Sequence, residues 1–376
     1  GTPGGPALPP TSLLSGVSAT AQNLYYVYQN LRASAMYQYA ASVERALPGR
    51  TTLTVNVTDS RGVHDLRQRQ INAPLPGTVD LSVNNSHGVL PFPDLGNLYL
   101  YESTGYYKEL QVITSANSRI NSHVSLNGYY AWSNYHTNSN GFPMDEYNTA
   151  LDWGRAGIPA NRVFLIGTVG LPFGWTASPS FNANSAVPLN ITDGFDYNHD
   201  GVNNDRPAFA PAGAACGGNI VCTPFGKFNT APGANYIPIP VNYVNGFARW
   251  DADIRFTRMW GWGENRNVAA ATGGGFGGGG RGGGGGRGGG GPRGGFGGGR
   301  GGGFGTVGGG ASHRYNVGLT VAVTDIFNHV NLANPVGSLN SPFFGQSLNA
   351  ISTGQGLGAG GVTGTRRIQL SLRFTY

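Results

Sequence analysis

The dominant pattern along the chain has period two. At the C-terminal end Ile368, Leu370, Leu372, Phe374 and Tyr376 alternate with Gln369, Ser371, Arg373 and Thr375. Successive strand side chains point to opposite faces, so such a run has one apolar and one polar side. Tyr315, Val317, Leu319, Val321 and Val323 alternate in the same way with Asn316, Gly318, Thr320, Ala322 and Thr324, and Leu53, Val55 and Val57 with Thr52, Thr54, Asn56 and Thr58. Ile120, Val124, Leu126, Tyr130 and Trp132 are assigned one face, opposite Arg119, Asn121, His123, Ser125 and Asn127. Trp250, Ile254, Phe256 and Trp260 oppose Arg249, Asp251, Asp253 and Arg255. The pattern predicts nine strands, near 33–47, 50–61, 97–115, 118–134, 161–172, 174–190, 246–260, 312–327 and 366–376. The tyrosine-rich run 22–31 is a candidate tenth, with no turn to set it apart. No segment has a convincing helical period.

The connections alternate in length. Short turns are predicted at Pro48-Gly49-Arg50, Ala116-Asn117 and Pro172-Phe173-Gly174, and long loops over 62–96, 135–160, 191–245 and 328–365. A soluble β-sandwich also alternates, but it buries its apolar face and has short strands with turn signals every 8–12 residues. Long strands, turns on one side, long loops on the other, and aromatics near strand ends (Tyr129, Tyr130, Trp132, Trp250, Trp260, Trp262, Tyr376) instead predict an outer-membrane barrel with aromatic girdles. The expected fold is all-β: an antiparallel transmembrane β-barrel segment of about nine strands with long extracellular loops. Bacterial single-chain barrels have even strand counts and periplasmic ends. The odd count therefore predicts the C-terminal part of a larger barrel. Residues 1–32 read as an N-terminal tail or extracellular loop, and 33–376 as the barrel segment, interrupted by a Gly/Arg-rich insert at 271–310.

Composition fits this reading. Charged residues make up 11% of the chain and hydrophobic ones 39%, against about 25% charged in an ordinary soluble domain. No run approaches the roughly 18 apolar residues of a membrane-spanning helix. Of the 64 glycines, 28 lie between Gly273 and Gly310, together with Arg281, Arg287, Arg293 and Arg300. Without those four arginines the net charge of +6 falls to +2, so the basic balance belongs mostly to the insert. With Phe276, Phe296 and Phe304 the insert resembles an RGG tract, a type that binds single-stranded nucleic acid. As a connection between strands it is read as a flexible linker, and no nucleic-acid partner is expected. The chain begins at Gly1 and opens with no signal-peptide pattern, as expected of a processed precursor or part of a longer chain.

Two features carry candidate chemistry. Asp196-Tyr197-Asn198-His199-Asp200-Gly201 fits the start of a calcium loop, with oxygens at alternate positions and a glycine for the sharp turn. Asp205 and the carbonyl of Val202 could complete it. Pro207 stands where a calcium loop of the EF-hand type has a bidentate Glu. The alternative is a surface turn rich in Asp, Asn and Gly. Cys216 and Cys222 enclose five residues, and the oxidising cell surface favours a disulfide there over two free thiols. No required cofactor and no catalytic set is evident. The seven histidines are scattered, and Asp251 and Asp253 with Arg249 and Arg255 read as charge pairing on a wet lumen wall rather than as an acid–base pair. The protein is not expected to be an enzyme.

Several phrases resemble the C-terminal barrel of Oar-like TonB-dependent receptors. They are SVERALPGRTTLTVNVTDSRGVHDL at 42–66, NRVFLIGTVGLPFGW at 161–175, DGVNNDRP at 200–207, FARWDADIRFTRMW at 247–260, DIFNHVNLANPVG at 325–337 and the terminal RRIQLSLRFTY at 366–376. The resemblance runs over about 30–376 and departs at the glycine-rich insert. It implies a 22-stranded barrel, of which this chain would supply roughly the last nine strands, with an N-terminal plug and a TonB-contacting segment expected upstream of it. The implied function is TonB-dependent uptake of an unidentified extracellular ligand through the outer membrane. The implied partners are outer-membrane lipid, the remaining barrel and plug, and the TonB complex through upstream parts. The alternative is a surface adhesion or structural protein.

Overall fold

The computed structural model describes residues 23–80, 88–233, 236–265, 313–351 and 365–376. Nine long strands form its frame: β1 (Ala35–Leu47), β2 (Thr51–Gln70), β3 (Leu98–Ser118), β4 (Val124–Thr137), β5 (Asn161–Gly170), β6 (Trp175–Asn184), β7 (Arg249–Asn265), β8 (His313–Thr324) and β9 (Arg367–Thr375). They lie in one sheet in chain order, each antiparallel to the next. Among the described residues no ladder joins β1 to β9, so the sheet is open. No described helix is long and apolar enough to cross a membrane.

The register turns the period-two pattern into two continuous faces, because directly opposed residues point the same way. One row runs Val43–Val55–Thr114–Tyr130–Val163–Ala183–Trp250 across seven strands. Farther along the same face, Phe256, Val321 and Leu370 are aligned. The other face aligns Thr58, Gln111 and Ser133, and Phe164, Asn182 and Asp251. There the Gln111 amide donates to Ser133 Oγ at 2.9 Å. The apolar side chains are not covered by protein: Val43 and Leu370 are each 70% exposed, and Leu372 is 73%.

The loops divide as the lengths predicted. Short turns join β1 to β2, β3 to β4 and β5 to β6; long loops leave the opposite ends. Gly49 and Arg50 in the first turn, and Phe173 and Gly174 in the third, have positive φ, the backbone hand that tight strand reversals use. The second turn corrects the sequence reading. Ala116 and Asn117 lie inside β3, opposite Gly128 and Asn127. The reversal falls at 119–123, where the Asn121 carboxamide oxygen accepts the N–H groups of His123 and Val124 at 2.8 Å. Ile120 therefore sits in the turn, not on a strand face.

Two further corrections concern the loop end. β2 runs to Gln70, nine residues past the predicted end at 61. Its register shifts around Asp65, beside His64 at positive φ, so a bulge displaces the alternation that pattern reading relies on. The tyrosine-rich run does not become a wall strand. Leu24–Val27 pairs in parallel with Leu98–Tyr101 at the loop end of β3. The insert between β7 and β8 lies outside the described residues. The hydrophobic core is in the loops: Ile191, Phe228, Ile239, Val244 and Leu339 are buried together, with Leu189, Val221, Phe225 and Phe344 against them.

Candidate functional site

The long loops fuse into a crown over one end of the sheet. Amide side chains stitch the loop 138–160 to the loop 185–248. Asn204 donates to the carbonyls of Phe142 and Pro143 at 3.1 and 2.8 Å, and Asn198 donates to that of Met144 at 2.8 Å. Asn340, after β8, donates to the Gly194 carbonyl at 3.0 Å. At the centre Asp152 holds two guanidinium groups, Arg67 from β2 at 3.1 Å and Arg206 at 3.5 Å, and accepts the Met144 N–H at 3.1 Å. Arg206 also donates to the carbonyls of Ile239 and Leu151. All three charged residues are buried. Burial still holds the Asp152 carboxyl above its ordinary pKa, opposed by both arginines.

Two clefts open beneath and within the crown. One, of about 290 Å³, lies on the polar face where the sheet meets the loops, lined by Tyr129, Arg162, Phe164, Asn182, Asn184 and Arg249 among others. The other, of about 260 Å³, is walled by Asn138, Asn140, Phe142, Asn190, Asn204 and Arg206. Both pair aromatic surface with amides and guanidinium, a lining suited to a polar ligand. The carboxylates of β7 serve structure at this level. Asp253 accepts the N–H of Asp325 at 2.8 Å, and Asn182 donates to Asp251 at 3.4 Å. Arg249 reaches the Leu332 carbonyl and Asn334. The Arg249 bonds tie the wall to the crown.

Cys216 and Cys222 form a disulfide, with Cα atoms 5.7 Å apart. It staples the hairpin Ile220–Thr223/Gly226–Asn229, which delivers Phe228 to the loop core. The acidic loop folds on itself. Asp196 accepts the N–H groups of Asp200 and Gly201, Asp200 accepts that of Val202, and Asp205 accepts that of Tyr197 at 2.6 Å. Asn198 lies within the same turn, its oxygen 3.1 Å from the Asp200 N. The carbonyl of Val202 accepts the Asn204 N–H at 2.9 Å. Gly201 is at φ 84°, which favours glycine. Among the described residues no three His, Cys, Asp or Glu side chains converge closely enough to enclose a metal by themselves.

Two acidic residues escaped the sequence reading. Asp193 is fully buried, and neither of its carboxylate oxygens has a hydrogen-bond partner; its N–H donates to the Asp205 carbonyl. Glu146, from the neighbouring loop, is 2% exposed. Burial, with the Asp205 charge added, pushes Asp193 up to about 8. Burial raises Glu146 to about 8, and Asp200 and Asp205 to about 7 each. Only the run of Asp residues from 193 to 205 hinted at Asp193; Glu146 left no local signal.

A family model described as an outer membrane beta barrel domain matches residues 1–269. No curated protein matches by sequence. Among solved structures, 22 chains match. The outer membrane transporter YddB from Escherichia coli is 8% identical with a TM-score of 0.46, over 94% of this chain and 34% of that one. The ferric citrate transporter FecA, unliganded, is 9% identical with a TM-score of 0.37, over 90% of this chain and 31% of that one. The chain thus spans about a third of the length of these structures.

Proposed function

Because the chain belongs to the outer membrane beta barrel domain family, we propose that it supplies part of the wall and the outer mouth of a receptor for TonB-dependent uptake. It is an outer-membrane protein. One observation carries the reading: nine antiparallel strands hold a continuous uncovered apolar face opposite a polar one, and a packed loop crown stands over one end. Lipid can solvate the first face, and a wet lumen the second. Lipid offers no hydrogen bonds, so the edges of β1 and β9, unpaired among the described residues, require partner strands. The partners assigned are further strands of a larger barrel, with a plug inside it. The likeness to Oar-like receptors at 42–66, 161–175 and 325–337 supports the TonB-dependent step.

On this reading the polar clefts by Arg162 and Arg249 and by Asn138 and Arg206 meet the extracellular ligand first. The chain binds and passes that ligand without converting it. The test is solute depletion from the medium by the source bacterium, with the gene intact, deleted and restored, with and without a protonophore. Uptake should leave a solute that only gene-bearing, energised cells remove. Unchanged depletion with loss of surface attachment would replace the transporter with an adhesin.

A further inference from the structure

We propose that the cleft by Arg162 and Arg249 takes a small ring-bearing anion, its carboxylate or phosphate held between the two guanidinium groups. This names a ligand class for one of the clefts assigned above to first contact with the extracellular ligand, and it rests on that reading. The strand register builds the site. Arg162, Asn184 and Arg249 stand directly opposite one another on β5, β6 and β7, on the polar face at its crown end. Adjacent strands lie about 4.8 Å apart, so about 10 Å separates the two arginine backbones. Both side chains line the same cleft. The row continues onto β4 as Ala131, so no carboxylate stands in it from β4 to β7. The next row away from the crown is Tyr129–Phe164–Asn182–Asp251. The rings of Tyr129 and Phe164 have centroids 5.8 Å apart and line the cleft beside the charges.

The two guanidinium groups have donors to spare. Among the described residues neither forms an ion pair, and Arg162 makes no hydrogen bond. Arg249 donates Nε to the Leu332 carbonyl and Nη2 to Asn334, which fixes the group and leaves its Nη1 donors unused. Two carboxylates stand nearby. Asp251 accepts the Asn182 amide at 3.4 Å, and Glu109 on β3 feels the charge of Arg162 without bonding it. A guanidinium binds a carboxylate or phosphate through paired N–H donors, and such charge-assisted bonds are the strong ones. The aromatic pair offers a face on which a flat ring can stack. The volume of about 290 Å³ is at the small end of ligand pockets, which selects a single-ring anion or such an end group on a longer ligand. The second cleft differs. Its guanidinium, Arg206, is taken by Asp152 and two carbonyls, so amides rather than a spare charge face that space.

The experiment uses the full-length protein extracted from outer membranes. Calorimetric titration compares phenylacetate, phenyl phosphate, neutral phenylacetamide and inorganic phosphate. At least one ring-bearing anion should bind with about millimolar affinity or better, and the tighter of the two tells carboxylate from phosphate. Phenylacetamide and inorganic phosphate should each bind about tenfold more weakly or less. Arg162→Gln should weaken the bound anion by about tenfold or more and leave the amide unchanged, since it removes a charge that bonds to nothing in the fold. Should that variant fail to fold, phenylglyoxal labelling of the unaltered protein replaces it: the bound anion should shield Arg162 from the reagent, and phenylacetamide should not. No binding of either ring-bearing anion at tens of millimolar overturns the proposal. So does an amide that binds as tightly as the acid, or full binding by the Arg162→Gln protein. Inorganic phosphate bound as tightly as phenyl phosphate would mean an adventitious ion only, and overturns it too. Those failures leave the receptor reading standing, whereas anion binding without energy-dependent depletion of any solute would keep the site and remove the transporter.

Discussion

Wall and crown are built from the same residues by opposite rules. In β9 the apolar side chains point away from the protein; Leu370 and Leu372 are 70% and 73% exposed. In the crown Ile191, Phe228 and Ile239 are 0% exposed. The wall's buried groups include polar ones, such as Asn316 and Ser133, while its greasy groups wait for lipid. The crown is an ordinary small protein: an apolar cluster, a disulfide and buried ion pairs, with loops as backbone. Hydrophobic burial organises both, but in the wall the apolar phase is supplied from outside.

The separation can be broken most strongly at Asp152. Asp152→Ala leaves Arg67 and Arg206 buried without their carboxylate, which should cost the crown about 3–5 kcal/mol. Hydrogen exchange should speed up through 138–160 and 191–245 while β7 to β9 keep their protection. Equal loosening of the wall would show that the two regions fold as one unit.

Next comes the facing of the wall. Leu319→Arg should impair membrane insertion by about 2–4 kcal/mol if the site lies near the midplane, and Thr320→Arg much less. Folding titrations into bilayers measure both, and equal penalties would contradict the assigned faces. A smaller effect is expected from Cys216→Ala with Cys222→Ala. Losing so short a ring should cost about 2 kcal/mol, confined to the hairpin that carries Phe228. Proteolysis near 216–229 should quicken, and insertion should not change.

The wall was legible because alternation is a local signal. Five apolar residues in nine positions at the C-terminus identify a strand and its two faces without knowledge of its neighbours. Reading failed where something other than alternation sets the backbone: the Asn121 turn that carries β3 through Asn117, and the bulge at Asp65 that extends β2. The crown was legible only in fragments. The cysteines and the Asp196–Asp205 run stood out because they are close in sequence. Asp152, by contrast, meets Arg67 across 85 residues, and no local pattern announces such a pair. The core of Ile191, Phe228, Ile239 and Leu339 is equally non-local, and its segments read only as long polar loops.

The most direct measurement is the chemical accessibility of adjacent positions in the native outer membrane. Cysteine is placed singly at Leu319 and at Thr320, with the Cys216–Cys222 disulfide intact, and each is exposed to a water-soluble and to a membrane-soluble maleimide. The Thr320→Cys protein should react with the water-soluble reagent and the Leu319→Cys protein with the membrane-soluble one. Equal labelling by both reagents, or the reverse order, would contradict a wall with one face in lipid and the other in water.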